Sequence, residues 1–367
     1  MGGIYPSVKK EVYFNMAHKM GIIGYGGMAG WHHENSKRIT GLEVVAAHDI
    51  NPGRLEAAKE RGLKPYEKLE DFLADDSFDM VLVATPNNFH KPMTVAALQA
   101  GKNVICEKPV AMNIAEFDEM YETSKKVGKV FTVHQNRRWD RDFRIIKKTI
   151  ETGLVGKPYT IESRVMGQNG VMHGWRAYKV AGGGMVFDWG VHMIDQLLWM
   201  IKEPVSEVYA NLHMVKTPEV DDYFKAIIRF NSGLSTQVEV GTYNLERLPR
   251  WYVCGDGGAV VIDGWDCKGR ITHAKNFEMS WEQEVVQTEG GPTRTMAPRP
   301  KETLEELPLP EVQTDWADYY HNVLAVLDGK EELIVKPEEV RKVMQVMTAI
   351  FESSETGKAI KIDRYYK

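Results

Sequence analysis

Three things are scarce in this chain of 367 residues. Cysteine is the first: Cys106, Cys254 and Cys267 are odd in number, widely spaced and without a CxxC pair. They argue against a disulfide framework and fit reduced thiols in a cytoplasmic protein. Net positive charge is the second. The formal net charge is -5 and there is no dense basic tract, so neither nucleic acid nor an anionic membrane is an expected partner. Long apolar runs are the third: none approaches the ~20 residues of a membrane span. The opening MGGIYPSVKKEVYFNMAHK also lacks the uninterrupted apolar segment of a signal peptide. There is no internal repeat and no low-complexity segment. Eleven histidines are present, but adjacent His32 and His33 point apart on a helix and no zinc spacing emerges, so no metal is expected.

What is present divides the chain. Its length allows two domains with full cores. Residues 1–16 match no regular element and read as an N-terminal extension. From Lys19, short apolar strands (KMGIIG, LEVVAAHD, DMVLVAT, NVICEK, VFTVHQN) alternate with helical stretches, the pattern of a doubly wound parallel sheet over residues 17–138. After Arg138 the rhythm changes. In YFKAIIRF, Phe224, Ala226, Ile228 and Phe230 share one face, which predicts a large, mainly antiparallel open sheet for residues 139–367. The Pro-rich, charged stretch 292–312 reads as a surface loop. Two helices close the chain, the first ending at Gly329 and the second opening with Pro337.

Strand KMGII runs into Gly24-Tyr25-Gly26-Gly27-Met28-Ala29, a G-x-G-x-x-A turn ahead of a helix. Gly24 permits the tight turn and Gly26 lets a pyrophosphate approach the backbone. Ala29 allows close helix–strand packing, and the helix N-terminus faces the phosphates. Glycine-rich turns also occur without a ligand. Here Asp49 follows Ala29 by twenty residues, at the end of the second strand, where an acid accepts hydrogen bonds from a ribose diol. Together they predict a Rossmann dinucleotide site. NAD is favoured over NADP because nothing basic directly follows Asp49, although Arg54 is near.

With Thr85-Pro86-Asn87-Asn88-Phe89-His90, Glu107-Lys108-Pro109, His134-Gln135-Asn136-Arg137-Arg138-Trp139, Trp175-Arg176 and GGGMVFDWGVHMID, the chain resembles the Gfo/Idh/MocA oxidoreductases from Lys19 to its end. The QNRRWDRDF run is most similar to scyllo-inositol dehydrogenase-type members. The resemblance implies that Lys108, Asp188 and His192 are catalytic and that Thr85, Pro86, Asn87, His90, Glu107 and Lys108 join Gly24–Ala29 and Asp49 around the cofactor. Arg138, His173, Trp175, Arg176, Asp188 and His192 are the implied substrate contacts. It also implies dimers or tetramers built on the second domain's sheet.

The chemistry suits those residue types. Oxidising a secondary alcohol removes the hydroxyl proton while hydride leaves carbon. An imidazole serves as base, and an ammonium stabilises the developing alkoxide. Asp188, four residues before His192 on a helix, is expected to bind a second hydroxyl and keep the imidazole basic. Asp195 would lie near both, and the three glycines are expected to make room for a sugar. Taken alone, a histidine on an apolar helix is more often a hydrogen-bonded core residue, and Trp175 and Arg176 read equally as packing and surface charge. The leading expectation is an NAD-dependent dehydrogenase of a ring hydroxyl in a sugar, glycoside or cyclitol. A redox-neutral glycoside hydrolase or lyase with tightly held NAD would use the same groups. A sensor that binds NAD without turnover would have no need of the Lys-Asp-His set.

Overall fold

The computed structural model describes residues 17–275, 284–295 and 298–365. The extension read at residues 1–16 lies outside them.

The first half is β1 (His18–Ile23), α1 (Gly27–Ser36), β2 (Leu42–His48), α2 (Pro52–Glu60), β3 (Lys64–Tyr66), α3 (Leu69–Leu73), β4 (Met80–Val83), α4 (His90–Gln99), β5 (Asn103–Cys106), α5 (Ile114–Val127) and β6 (Phe131–Val133). These six strands pair in parallel in the order β3-β2-β1-β4-β5-β6. The sheet grows from β1 in both directions. Right-handed crossovers therefore place helices on both faces, and every residue of Met80–Val83 is buried. β3 adds to the five strands expected. Three residues long, with Pro65 at its centre, it carries no apolar signal, and it sits at the sheet edge where proline is tolerated. The order reverses between β1 and β4, and the crevice beyond their carboxyl ends is where such a sheet takes a ligand.

A short 3₁₀ turn (Asn136–Trp139) and α6 (Arg141–Glu151) lead into the second half. Its strands are β7 (Pro158–Met166), β8 (Val205–His213), β9 (Tyr223–Phe230), β10 (Ser235–Gly241), β11 (Trp251–Gly255), β12 (Gly258–Ile262), β13 (Gly269–Ala274), the hairpin β14 (Val286–Thr288) and β15 (Gly291–Thr293), β16 (Leu304–Leu307) and β17 (Ile360–Lys361). Nine of them form one sheet in the order β16-β13-β12-β11-β7-β10-β9-β8-β17, antiparallel except for β7 with β10. The alternation read in β9 holds: Phe224, Ala226, Ile228 and Phe230 are buried and Ile227 and Arg229 exposed. The stretch 292–312 is not all loop. Leu304–Leu307 pairs with β13 as an edge strand, where one open side tolerates the Glu305-Glu306 pair that hid it.

Three further helices are α7 (Val191–Met200), α8 (Ala317–Leu327), whose Tyr320 hydroxyl lies 2.6 Å from His32 Nδ1 of α1, and α9 (Pro337–Thr356). α9 starts on Pro337 and stops at Gly357, whose φ of 66° is left-handed. It packs on β8 and α7 and also reaches α5 and β6. Beside it, Arg138 is buried: Nε and one terminal nitrogen donate to the two oxygens of Asp195 at 2.8 and 2.7 Å. The other terminal nitrogen donates to Glu339 at 2.7 Å and to the Ile334 carbonyl at 2.8 Å.

That pairing sets an expectation. Arg138→Ala strands the buried Asp195 carboxylate, at a cost of about 3–5 kcal/mol. Urea unfolding should show that loss, and Arg138→Leu combined with Asp195→Leu should restore most of it. An Arg138→Ala protein of unchanged stability would contradict this structural role.

Candidate active site

The carboxyl ends of β1, β4 and β5 surround one cleft, lined by Gly26, Gly27, Met28, Thr85, Asn87 and Lys108 on one side and by Trp175 and Arg176 on the other. Gly24 has φ of 88°, and a Cβ there would stand 2.9 Å from the Thr85 backbone nitrogen, so glycine is required. Gly26 and Gly27 differ. A Cβ on Gly27 would meet nothing within 4 Å, and one on Gly26 would have only the tip of Arg54 nearby. This open cradle lies at the N-terminus of α1, whose first turn has no side-chain cap and no acid. Free backbone N–H groups facing open space fit a pyrophosphate. Ala29 is fully buried against the sheet. Asp49 is held by N–H donors from Tyr25 and Asn51, each at 2.8 Å, with Arg54 at 3.5 Å. His90 ties the walls together, its ring nitrogens lying 2.7 Å from the Pro109 carbonyl and 3.0 Å from that of Thr85.

Lys108 crosses from this cleft to the second half. Its ammonium donates to the Asp188 carbonyl at 2.9 Å and to Asp188 Oδ1 at 3.1 Å, and Arg176 Nε donates to the same Oδ1 at 3.2 Å. Burial pushes the Asp188 carboxyl up, but the Lys108 and Arg176 charges outweigh it and hold the group below its ordinary range. Asp188 lies in a π-helical turn (Val186–Gly190) that runs into α7, where His192 is buried with no partner for Nδ1 among the described residues. Wide turns of this kind recur at functional sites.

Several expectations change here. No hydrogen bond joins Asp188 to His192 among the described residues, and the imidazole is not kept basic. Burial first, then the Lys108 and Arg137 charges, hold it well below the ordinary value. Asp195 turns away to Arg138, so neither reaches the cleft. On a 3₁₀ turn adjacent side chains diverge widely, and it is Arg137 that faces outward, stacked 4.1 Å over the Trp189 ring. His173 is exposed on the segment leading to Trp175. Glu107 lines the cleft, yet one of its oxygens lies 2.8 Å from His32 Nε2 and 2.9 Å from His134 Nδ1. These three buried groups, far apart in sequence, could hold a metal ion by proximity, but hydrogen bonds already join them. The glycines do not make room for a sugar. A Cβ on Gly182 would meet Met112 Sδ at 2.6 Å, one on Gly183 the Arg176 carbonyl oxygen at 2.1 Å, and one on Gly184 an Asp221 oxygen at 2.3 Å. Asp221, unremarked in the sequence, accepts from the Val186 N–H at 2.8 Å, and burial pushes its carboxyl up to about 7.

Residues 18–135 match the oxidoreductase family with an NAD-binding Rossmann fold, and residues 143–261 match the GFO/IDH/MocA C-terminal domain. The chain belongs to the Gfo/Idh/MocA oxidoreductase family. An NAD-binding protein from Listeria innocua is 43% identical, with a TM-score of 0.90 over 94% of this chain and 99% of that one. A myo-inositol 2-dehydrogenase of Thermotoga maritima is 32% identical over 59% of this chain and 66% of its own. A scyllo-inositol 2-dehydrogenase (NADP+) of Bacillus subtilis is 27% identical over 94% and 96%. The chain is thus an NAD(P)-binding oxidoreductase.

In this Gfo/Idh/MocA chain the glycine triplet closes the site by contact. Gly183→Ala should displace the Arg176–Tyr178 backbone and with it the Arg176–Asp188 pair. We expect a lower melting temperature and an oxidoreductase activity reduced at least tenfold; wild-type values for both would show that the contact is not needed.

Proposed function

We propose that the protein oxidises a secondary ring hydroxyl of a sugar, glycoside or cyclitol, with His192 as base and Lys108 and Asp188 beside it. The observation carrying this reading is that Lys108, from the cofactor cleft, meets Asp188 at the helix bearing His192. The inositol dehydrogenases among the relatives support a polyol substrate. Bound nicotinamide supplies the hydride acceptor. His192, neutral near pH 7, takes the hydroxyl proton on a ring nitrogen. Lys108 faces the oxygen on which negative charge develops. Asp188 Oδ2, without a partner among the described residues, is free to accept from a neighbouring hydroxyl, while Oδ1 holds Lys108 and Arg176 in place.

NAD is the preferred cofactor in this reading. The Asp49 carboxylate, fixed by two backbone donors, accepts from a ribose diol and repels a 2′-phosphate. Arg54 and Arg61 line a neighbouring opening and are the groups that would favour the phosphate once the acid is gone. Asp49→Ser should therefore weaken NAD and improve NADP relative to it. A wild-type enzyme with the higher kcat/KM on NADP refutes the assignment of Asp49.

His192→Ala should lower kcat by ~100- to 10,000-fold, the usual worth of a general base, with NAD affinity nearly intact. Lys108→Met should be comparably severe, and the double variant far from additive because both act on one proton transfer. The pH profile carries a sign. Because the His192 value lies below the ordinary 6.5, the imidazole stays neutral as pH falls past that point and protonates only further down. The acid limb of kcat/KM should accordingly lie below pH 6.5 and vanish in His192→Ala. A normal kcat with a depressed melting temperature in His192→Ala would make the residue a core histidine.

A further inference from the structure

Across residues 171–176 from the cofactor cleft is a second opening of about 420 Å³, at the ends of β7 and β10. Trp189, next in sequence to Asp188, forms its inner wall, with its ring centroid 6.2 Å from the His192 imidazole. Arg137 lies 4.1 Å over that ring and is fixed by Asp140, to which it donates at 2.8 Å. Trp265 completes the wall, its ring 5.6 Å from Trp189 at 49° and 5.8 Å from the Arg137 guanidinium. Gln168, Asn169 and Thr242 add amide and hydroxyl groups. None of these residues is assigned the proton or the hydride; Arg137 acts on His192 only through its charge.

The wall offers a flat apolar surface to solvent. Trp265 is 53% exposed although tryptophan carries large apolar faces, and it is packed against Trp189 and the guanidinium groups of Arg250, 4.9 Å from its ring, and Arg137. Flat aromatic and guanidinium surfaces beside amides and a hydroxyl suit a ligand with an apolar C–H face and a rim of hydroxyls. The volume lies within the ~300–1,000 Å³ of small-molecule sites. Val171 lines this opening while Trp175 and Arg176 line the cofactor cleft, so one short segment separates the two.

We infer that this opening is a subsite for a second sugar ring or aryl aglycone, so that the substrate is a glycoside. Its oxidised ring lies at Lys108, Asp188 and His192, and its second ring stacks on Trp265. The inference rests on the proposed polyol oxidation for the identity of the first ring.

Binding and turnover test the two separately. Calorimetry on the NAD-loaded protein would compare cellobiose, maltose and 4-nitrophenyl β-D-glucoside with methyl β-D-glucoside and scyllo-inositol. At least one two-ring compound should bind tighter than the one-ring compounds, and Trp265→Ala should cut that ratio about tenfold with little change in melting temperature. Trp265→Phe should restore part of it. Equal affinities for the two classes, no binding of any two-ring compound, or a ratio indifferent to Trp265→Ala would overturn the subsite. So would a Trp265→Ala protein that loses its oligomeric state but keeps the two-ring preference, because the wall would then belong to an interface between copies. NADH formation is read independently. Two-ring binding that depends on Trp265 but yields no NADH leaves the subsite standing and rejects the oxidation.

Discussion

One carboxylate oxygen, Asp188 Oδ1, receives both the Lys108 ammonium at 3.1 Å and the Arg176 guanidinium at 3.2 Å, and the site is organised around it. Lys108 follows β5 of the parallel sheet; Asp188 opens the helix that leads away from the glycine triplet. A largely buried charge is tolerable only when paired, so the pair fixes where the second half sits over the cofactor cleft. Asn87, donating to the Gly182 carbonyl at 2.7 Å, repeats the link beside it. Conformational freedom at this junction would separate His192 from the cofactor cleft. The cross-links restrain it.

The charges around the pair also settle the state of the histidine. Lys108 and Arg137 both act against a charged imidazole, while Glu107, the nearby acid with an opposing effect, is engaged by His32 and His134. Burial and these cations together disfavour the imidazolium. In the proposed reaction such a field would stabilise an anion formed on substrate oxygen and keep the acceptor of its proton unprotonated beforehand. Both consequences come from the same positive surroundings, so strengthening one by adding a cation would weaken His192 as a base.

How much of this was legible follows from the range of the interactions. Gly24, Gly26 and Ala29 were readable because the turn, the cradle and the close packing each impose a local requirement on one residue. The alternation in β9 was readable because one face is covered. Arg137 and Arg138 were not separable, since identical neighbours on a tight turn reveal nothing of which one turns inward to Asp195. The π-helical turn at Val186–Gly190 has no period of its own in so short a stretch. The trio of His32, Glu107 and His134 joins three elements that only the sheet order brings together. Strand β16 was hidden because an edge strand with charged side chains looks like a loop.

The glycine triplet shows how a correct motif can carry a wrong mechanism. Three small residues beside a binding helix suggest space left for a ligand, yet each Cβ would strike protein atoms of a different segment: Met112, the Arg176 carbonyl and Asp221. The triplet is therefore a seam. It lets the loop bearing Arg176 close onto the turn bearing Asp188, and Asp221 then holds the start of that turn through the Val186 N–H. Open volume lies instead on the two sides of this seam, toward the cofactor cleft at Trp175 and Arg176 and toward Trp189 and Trp265 on the other. The tightness of the seam therefore determines how far apart these two surfaces stand, and with it the reach that the proposed two-ring substrate would need.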